Sequence, residues 1–548
     1  MGGTQLHIQK LDPRDDLVVA LQPLAAGQVV ELGSERWSLP GVVPAKQKFA
    51  AREFAAGERV TMYGVTVGRA LVGIKAGELI SRANLEHASD DFTGKTRSYV
   101  WTPPDVSGWL GGTFMGYKRA TGRSGTANYW VVIPLVFCEN RNLAVMREAL
   151  NRALGYHRTA VYEGYARDLV RAHGAGTDLD GVVLEGVSDV LPVFPGVHGV
   201  KFLEHGLGCG GTRQDAEALC DLLAGYIDHP NVAGATVLSL GCQHAQVSLL
   251  MEQLGRRNGA FNKPLHVFEQ QKAVSERQML ADAMKATVRG VAAASELVRE
   301  PCPLSDLVVG VECGGSDGFS GISANPVLGH VADVLCGIGA SPVLSEFPEL
   351  CGIEQSLCDR CETPELAERF VQLMRAYEGA AKSCGSGFDS NPSPGNIRDG
   401  LITDAIKSAG AAKKGGTGPI VEVCDYPERI KSRGGLVLYC TPGNDVESTT
   451  ALAAGGCTLM LFTTGLGTPT GNPVCPTLKI STNTELATRM SDIIDFDAGP
   501  VIRGERTVAE LGEDLMKLSV EVASGVVTPK AVALGQDDFL PWKRGVSL

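Results

Sequence analysis

The stretch LVVGVECGGSDGFSGISANPVLG, residues 307–329, decides the fold. Leu307 to Val311 form a short apolar run of the length and branched content of a buried strand. A Gly-Gly turn follows at Gly314-Gly315, and Ser316 or Asp317 then supplies a helix-start signal. Strand, glycine turn and helix make the first half of a βαβ unit. Backbone N–H groups at such a turn form an anion site able to hold a carboxylate, although a plain strand-to-helix turn with a Ser or Asp cap uses the same residues.

The alternation continues on both sides. VVIPLVF (131–137) precedes the helix-like NRNLAVMREALNRAL (140–154), and QDAEALCDLLAGYI (214–227) precedes TVLSLG (236–241). SPVLSEF (341–347), GLVLYC (435–440) and TLMLFTT (458–464) add strands. Residues 1–90 differ, with short runs at Leu17 to Leu21, Val29 to Leu32, Arg59 to Met62 and Glu78 to Ile80 broken by Gly and Pro. The expected class is therefore α/β: a small N-terminal β module over 1–90, a linker over 91–125, and two α/β domains with mainly parallel sheets over 126–300 and 301–548. The second boundary falls within charged helical sequence between 260 and 305.

Composition bounds the function. The 548 residues carry 50 Lys and Arg against 62 Asp and Glu, a net charge of −12, with no basic stripe, so nucleic acid is a poor partner. Thr449 to Leu478 is uncharged, but Gly, Thr and Pro interrupt it too often for a spanning helix. No secretory leader opens the sequence, and a cytoplasmic location without membrane attachment is the expectation. Fifteen cysteines then read as reduced thiols rather than a disulfide framework.

Four expected strands end on cysteine, at Cys138, Cys209, Cys242 and Cys313, and the carboxyl edge of a parallel sheet is where ligands bind. Each alone is a small buried hydrophobe by default, yet four in one topological position point to a shared rim and to metal ligation. Cys358 and Cys361 sit in a polar helical stretch without a second pair and are set aside. His205, in EHGLGCGG, is a candidate base or ligand, and His244 a weaker one. The Gly/Thr loop FTTGLGTPTGNP (462–473) lacks the order of a phosphate-binding P-loop. CTPGND (440–445) adds Asn444 and Asp445. Lys413-Lys414 could reach an acidic substrate, although a solvated pair is the default.

ECGGSDGFSGISANPVLG, NPSPGN, TPGND and TTGLGTP, with GCGG and LGC upstream, together resemble the altronate/galactarate dehydratase family over most of residues 110–510. Residues 1–90 resemble the SAF-type β-clip module of full-length members. The resemblance implies removal of water from a hexonate or hexarate to give a 2-keto-3-deoxy acid, with iron or another divalent metal such as Mn2+. On that reading Cys138, Cys209, Cys242 and Cys313 hold the metal, as Fe2+ or as an Fe–S cluster, and His205 and Asp317 are catalytic. Asn128, Gly314, Gly315, Ser316, Asn444, Asp445, Thr463, Thr464, Gly465 and Thr468 then bind substrate. The expected partners are a small acidic substrate and further copies of the chain in a homo-oligomer.

The departures are specific. PAKQKFA carries Gln47 where the family has a histidine, SRANL carries Ser81 and Ala83 in a second histidine-rich stretch, Ala127 replaces an arginine, and GLGTPT carries Leu466 and Thr470. Losing these polar partners points to a smaller, less charged or differently oriented substrate than a sugar diacid. Elimination of another group, such as sulfite from a sulfo-hydroxy acid, is the rival within the fold. A non-catalytic binding protein is the rival outside it. The stretch 155–195 is longer than the family pattern and has no assigned role.

Overall fold

The computed structural model describes residues 7–158, 160–185 and 191–547. Two compact units emerge: Met1–Met115 with Pro301–Thr470 and Cys475–Ala531, and Gly116–Glu300 with Gly471–Val474 and Val532–Leu548. Each is built around a parallel sheet. The expected α/β architecture with a small β-rich N-terminal module is the one observed.

In the smaller unit, β1 (Tyr129–Pro134), β2 (Gly199–Phe202), β3 (Val232–Ser239) and β4 (Leu265–Glu269) lie in the order β2-β1-β3-β4, every pair parallel. Helix α1 (Asn140–Leu154) has the predicted bounds. The preceding strand stops at Pro134 because Phe137–Glu139 close into a 3-10 turn. Helix α2 (Arg213–Asp228) starts at a capping box, in which Thr212 accepts from the Asp215 N–H and Asp215 reaches back to Thr212. Within 155–195, the described part holds a helix over Ala160–Gly174 and a 3-10 turn over Leu179–Gly181; residues 159 and 186–190 lie outside the described residues. The polar stretch 91–125 contributes Thr113–Lys118 and Ser124–Gly125, paired antiparallel with Ser124 opposite Lys118.

The larger unit holds seven parallel strands: β5 (Val308–Cys313), β6 (Ser341–Leu344), β7 (Ile420–Cys424), β8 (Leu436–Tyr439), β9 (Leu459–Thr464), β10 (Thr477–Ser481) and β11 (Phe496–Asp497). Their order is β7-β8-β6-β5-β9-β10-β11. From β5 the chain builds outward through β6, then returns from β8 to place β9 on the other flank of β5. That reversal opens a crevice beyond the carboxyl end of β5, the usual ligand position in such sheets. The helix expected to start at Ser316 or Asp317 begins instead at Ala324 (α5, Ala324–Gly337). Residues 317–323 are held as a tight turn, with Asp317 accepting from the Phe319 N–H and Ser320 Oγ.

The N-terminal module pairs short antiparallel strands, Ile8–Gln9 with Leu17–Ala20 and Lys48–Ala50, and Arg59–Met62 with Val65–Ala70 and Leu85–Glu86. Residues 78–80, expected as a strand, supply only an isolated bridge from Leu79 to Phe49. Leu17, Val19, Met62 and Val67 belong to the same apolar core as Val309, Leu344 and Leu461. The module is thus packed into the larger unit. Among the described residues no helix is long and apolar enough to cross a membrane.

Trp130 is fully buried on β1, with its ring lodged against glycine at Gly234 and Gly290. A methyl added at Gly290, inside α6 (Glu276–Ala294), would fall 2.0 Å from Trp130 Cη2. Gly→Ala inside a helix ordinarily gains about 1 kcal/mol. Here overpacking reverses the sign, and Gly290→Ala should lower stability by about 1–3 kcal/mol, measured as denaturant unfolding followed by tryptophan fluorescence.

Candidate active site

Three loops meet at the carboxyl edge of the seven-stranded sheet. Strand β5 ends in Glu312 and Cys313, β6 runs into Ser345 and Glu346, β8 runs into Cys440 and Thr441, and Asp445 opens helix α7 (Asp445–Gly455). Glu346 adopts a left-handed conformation, φ +62°, which is uncommon for a residue with a side chain. Its N–H donates to Thr441 Oγ1 at 2.9 Å, fixing that bend.

Side chains at this edge form one buried charged cluster. Lys414 Nζ lies 2.5 Å from Glu346 Oε2 and 3.0 Å from Cys313 Sγ. The Cys313 thiol donates to Glu349 Oε2 at 3.4 Å, and Glu349 Oε1 accepts from Lys407 at 2.5 Å and Asn391 Nδ2 at 3.0 Å. Glu312 Oε2 accepts from Ser448 at 2.6 Å and Ser345 at 3.1 Å. Among the described residues no other group donates to Glu312 Oε1 or Glu346 Oε1, and the two carboxyls lie within hydrogen-bond reach of each other.

Charge does not balance within the cluster. Glu312, Glu346, Glu349 and Asp445 face Lys407 and Lys414, an excess of two negative charges if all are ionised. Burial, and then the Glu346 charge, hold the Glu312 carboxyl well above its ordinary range. Burial and the neighbouring Glu349 do the same for Glu346. For Asp445, burial with Glu346 and Glu349 pushes the carboxyl up to about 7. Glu349 moves the other way, because Lys407 and Lys414 outweigh its burial. Burial raises the Cys313 thiol, opposed by Lys414.

Two sets of potential ligands share Glu346: Cys313 with Glu346 and Glu349, and Glu312 with Glu346 and Asp445, each with ligand atoms within 4.8 Å of one another. A third such set, His87, Cys351 and Asp404, pairs the histidine with Asp404. Two carboxyl oxygens without an outside donor, and the double negative charge that full ionisation would leave, are what a divalent cation would satisfy, and oxygen donors suit Mn2+. Asp445, Asn391 and Lys407 form the accessible rim, while Glu312 and Glu346 are fully enclosed.

The two glycine loops interlock beside the cluster. The Gly314 N–H donates to the Thr463 carbonyl at 3.0 Å, and the Gly465 N–H to the Gly315 carbonyl at 3.1 Å. A methyl at Gly314 would fall 2.1 Å from Asp445 Oδ2, and one at Gly465 2.4 Å from Asp317 Cγ. Ser316 is buried, and its carbonyl accepts from Asn396 Nδ2 at 2.7 Å. Thr463 Oγ1 donates to Asn325 Oδ1 at 2.7 Å. Thr464 Oγ1 accepts from the N–H groups of Gly467 and Thr468, at 2.9 and 3.2 Å, and the Thr468 carbonyl accepts from Lys479. Asp317 is fully buried and paired with Lys46 Nζ at 2.9 Å. Lys46 comes from the N-terminal module with Gln47, which donates to the Arg398 carbonyl, and Lys48, which donates to the Gly400 carbonyl. Gln47 thus serves as a docking contact for the N-terminal module.

Several expectations change. The four thiols do not line one sheet: Cys138, Cys209 and Cys242 follow strands of the four-stranded sheet and Cys313 ends a strand of the seven-stranded one. His205 is buried, its Nε2–H donating to the Pro134 carbonyl at 2.8 Å and its Nδ1 accepting from the Leu207 N–H at 3.1 Å. Burial lowers its pKa to about 4, so the ring is a neutral brace with both nitrogens engaged and not a free base. Asn128 is likewise buried, giving both amide hydrogens to the Gly196 and Ala294 carbonyls. Asn444 caps α7 by accepting from the Val446 and Glu447 N–H groups. Sequence reasoning missed Glu312, Glu346, Glu349, Lys407 and Asn391. It also read Lys414 as a solvated lysine, whereas Lys414 is buried and its neighbour Lys413 is exposed.

The raised Asp445 pKa makes a stability statement. The folded state holds this proton more tightly than the unfolded chain, so stability declines as pH climbs from the ordinary value of 3.8 to about 7. In chelator-treated protein, Asp445→Asn should remove this slope and melt above the parent at alkaline pH, as read by thermal denaturation across that range.

Residues 304–547 match the D-galactarate/altronate dehydratase C-terminal domain, 116–295 the second domain of D-galactarate dehydratase/altronate hydrolase, and 7–88 the altronate/galactarate dehydratase SAF domain. Altronate dehydratase of Escherichia coli K12 is 33% identical over 98% of this chain and 99% of its own length. Its Bacillus subtilis counterpart is 32% identical over the same shares. The (2R)-sulfolactate sulfo-lyase subunit beta of Chromohalobacter salexigens is 28% identical over 78% of this chain and 97% of its own. With its three domains matched in order and full-length relatives at this identity, the chain belongs to the altronate/galactarate dehydratase family of hydro-lyases.

Proposed function

We propose that this protein is a metal-dependent dehydratase of a sugar acid, an altronate-like aldonate, and that it forms a 2-keto-3-deoxy acid. The observation that carries the reading is the buried excess of carboxyl groups over lysines beside two oxygens without an outside donor, on Glu312 and Glu346. Glu346 with Glu312, Cys313 and Glu349 would hold Fe2+ or Mn2+. Such a cation, when bound, supplies Lewis-acid polarisation of the substrate carboxylate and stabilises charge that develops beside it.

The chain's own groups supply the remaining chemistry. Lys407 and Asn391, at the rim, bind the substrate carboxylate. Asp445, with a pKa of about 7, takes the proton from C2. The C3–O bond breaks as the C2=C3 bond forms, and the same carboxyl returns the proton to the departing hydroxyl, releasing water. The resulting enol tautomerises to the 2-keto acid. Lys414, held charged by Cys313, Glu346 and Glu312 against its burial, offsets negative charge throughout. Asp317, locked by Lys46, shapes the turn on which the substrate rests.

The test is an anaerobic screen of aldonates, hexarates and sulfolactate with chelated enzyme and added Fe2+ or Mn2+, scored for 2-keto acid, water elimination and sulfite. Altronate or a close aldonate should give 2-keto-3-deoxy acid without sulfite, and Asp445→Asn should lower kcat by about 10²–10⁴-fold. Added Mn2+ should also raise the melting temperature of the parent and leave Glu346→Gln unchanged. Sulfite release as the main reaction would move the assignment to the sulfo-lyase branch of the family, and inactivity across the panel would reject it.

A further inference from the structure

Cys138, Cys209 and Cys242 take no part in the site above. Free cysteine is among the most buried residue types. Among the fifteen here only Cys138, Cys209, Cys242 and Cys384 are exposed, and the first three follow three adjacent strands of one sheet. Cys138 comes four residues after β1, Cys209 follows β2, and Cys242 follows β3, with β1 in the middle and every strand parallel. All three therefore emerge at the same carboxyl edge.

The loops that carry them are tied together. The Phe137 N–H donates to the Leu207 carbonyl at 3.0 Å, and the His244 and Ala245 N–H groups both donate to the Gly208 carbonyl, at 3.0 and 3.1 Å. Gly208 has φ +103°, and a methyl there would lie 2.1 Å from the Leu135 carbonyl oxygen, so only glycine lets the Cys209 loop lie this close to the end of β1. His205 braces the same loop through Pro134 and Leu207. A cavity of about 250 Å³ opens beside Cys209, lined also by Thr212, Asp215, His244 and Lys543.

We infer that Cys138, Cys209 and Cys242 ligate an iron–sulfur cluster of the four-iron type, a centre separate from the carboxylate cluster of the larger unit. Three thiols on hydrogen-bonded loops at one sheet edge are arranged to share an inorganic core that bridges them. Thiolates are the ordinary ligands of such cores. Three of them leave one iron without a thiolate ligand, and an oxygen donor, water or a small carboxylate, completes it. Assembly from sulfide and equal parts of ferrous and ferric iron releases the three thiol protons and leaves every oxidation state unchanged.

The experiment is anaerobic reconstitution of the full chain with ferrous and ferric iron and sulfide, followed by visible spectra, EPR spectra after dithionite reduction, and iron and sulfide analysis. About four sulfide per chain are expected, with about four iron beyond any held by the carboxylate cluster, and visible charge-transfer absorption. Cys138→Ser, Cys209→Ser and Cys242→Ser should each lose the bound sulfide and the absorption while keeping the parent circular dichroism spectrum, and Cys384→Ser should retain both. Asp445→Asn should keep the cluster while losing dehydration, which separates failure of this inference from failure of the proposed function. Iron or zinc bound at one equivalent without sulfide, or a cluster that survives all three substitutions, overturns it.

Discussion

A buried excess of carboxyl groups over lysines under the carboxyl edge of the seven-stranded sheet organises the larger unit. Glu312 and Glu346 set their carboxyl oxygens against one another without an outside donor, while Lys414 and Lys407 pair with only part of the cluster. A folded chain does not ordinarily bury ionisable groups in this balance, because desolvation costs several kcal/mol per unpaired ion. Their retention is the mark of a site that accepts a cation or shares protons, and it makes the cluster a poor contributor to stability and a good one to chemistry.

The surrounding architecture exists to hold those side chains still. Glu346 stands in a left-handed bend fixed by Thr441, Gly314 lets Asp445 lie directly over the end of β5, and Gly465 lets its loop close over Asp317. From the far end of the sequence, the N-terminal module delivers Lys46 to Asp317 and docks through Gln47 and Lys48. Its short strands share the core of the larger unit. A module that looks like an appendage in the sequence is therefore part of the wall of the site.

Thiols divide by environment. Cys313 is enclosed between Lys414 and Glu349, where burial raises its pKa, whereas Cys138, Cys209 and Cys242 are exposed on the loops after their strands. Residues that share one position in the strand pattern thus meet different environments because the sheets beneath them differ.

Local sequence determined most of the secondary structure and the family. The bounds of α1, the strands at Val308–Cys313 and Leu459–Thr464, and the two glycine loops were all readable, because apolar runs, caps and glycines act over a few residues. Asp445 and Cys313 were readable for the same reason, as polar residues at strand ends. Tertiary structure alone decided that Glu312, Glu346, Glu349, Lys407 and Lys414 share one enclosure, and that His205 and Asn128 spend their polar atoms on the backbone. Strand order decides which loops become neighbours, and burial decides which charges matter. Both depend on contacts between residues far apart in the chain, which no local pattern of residues encodes.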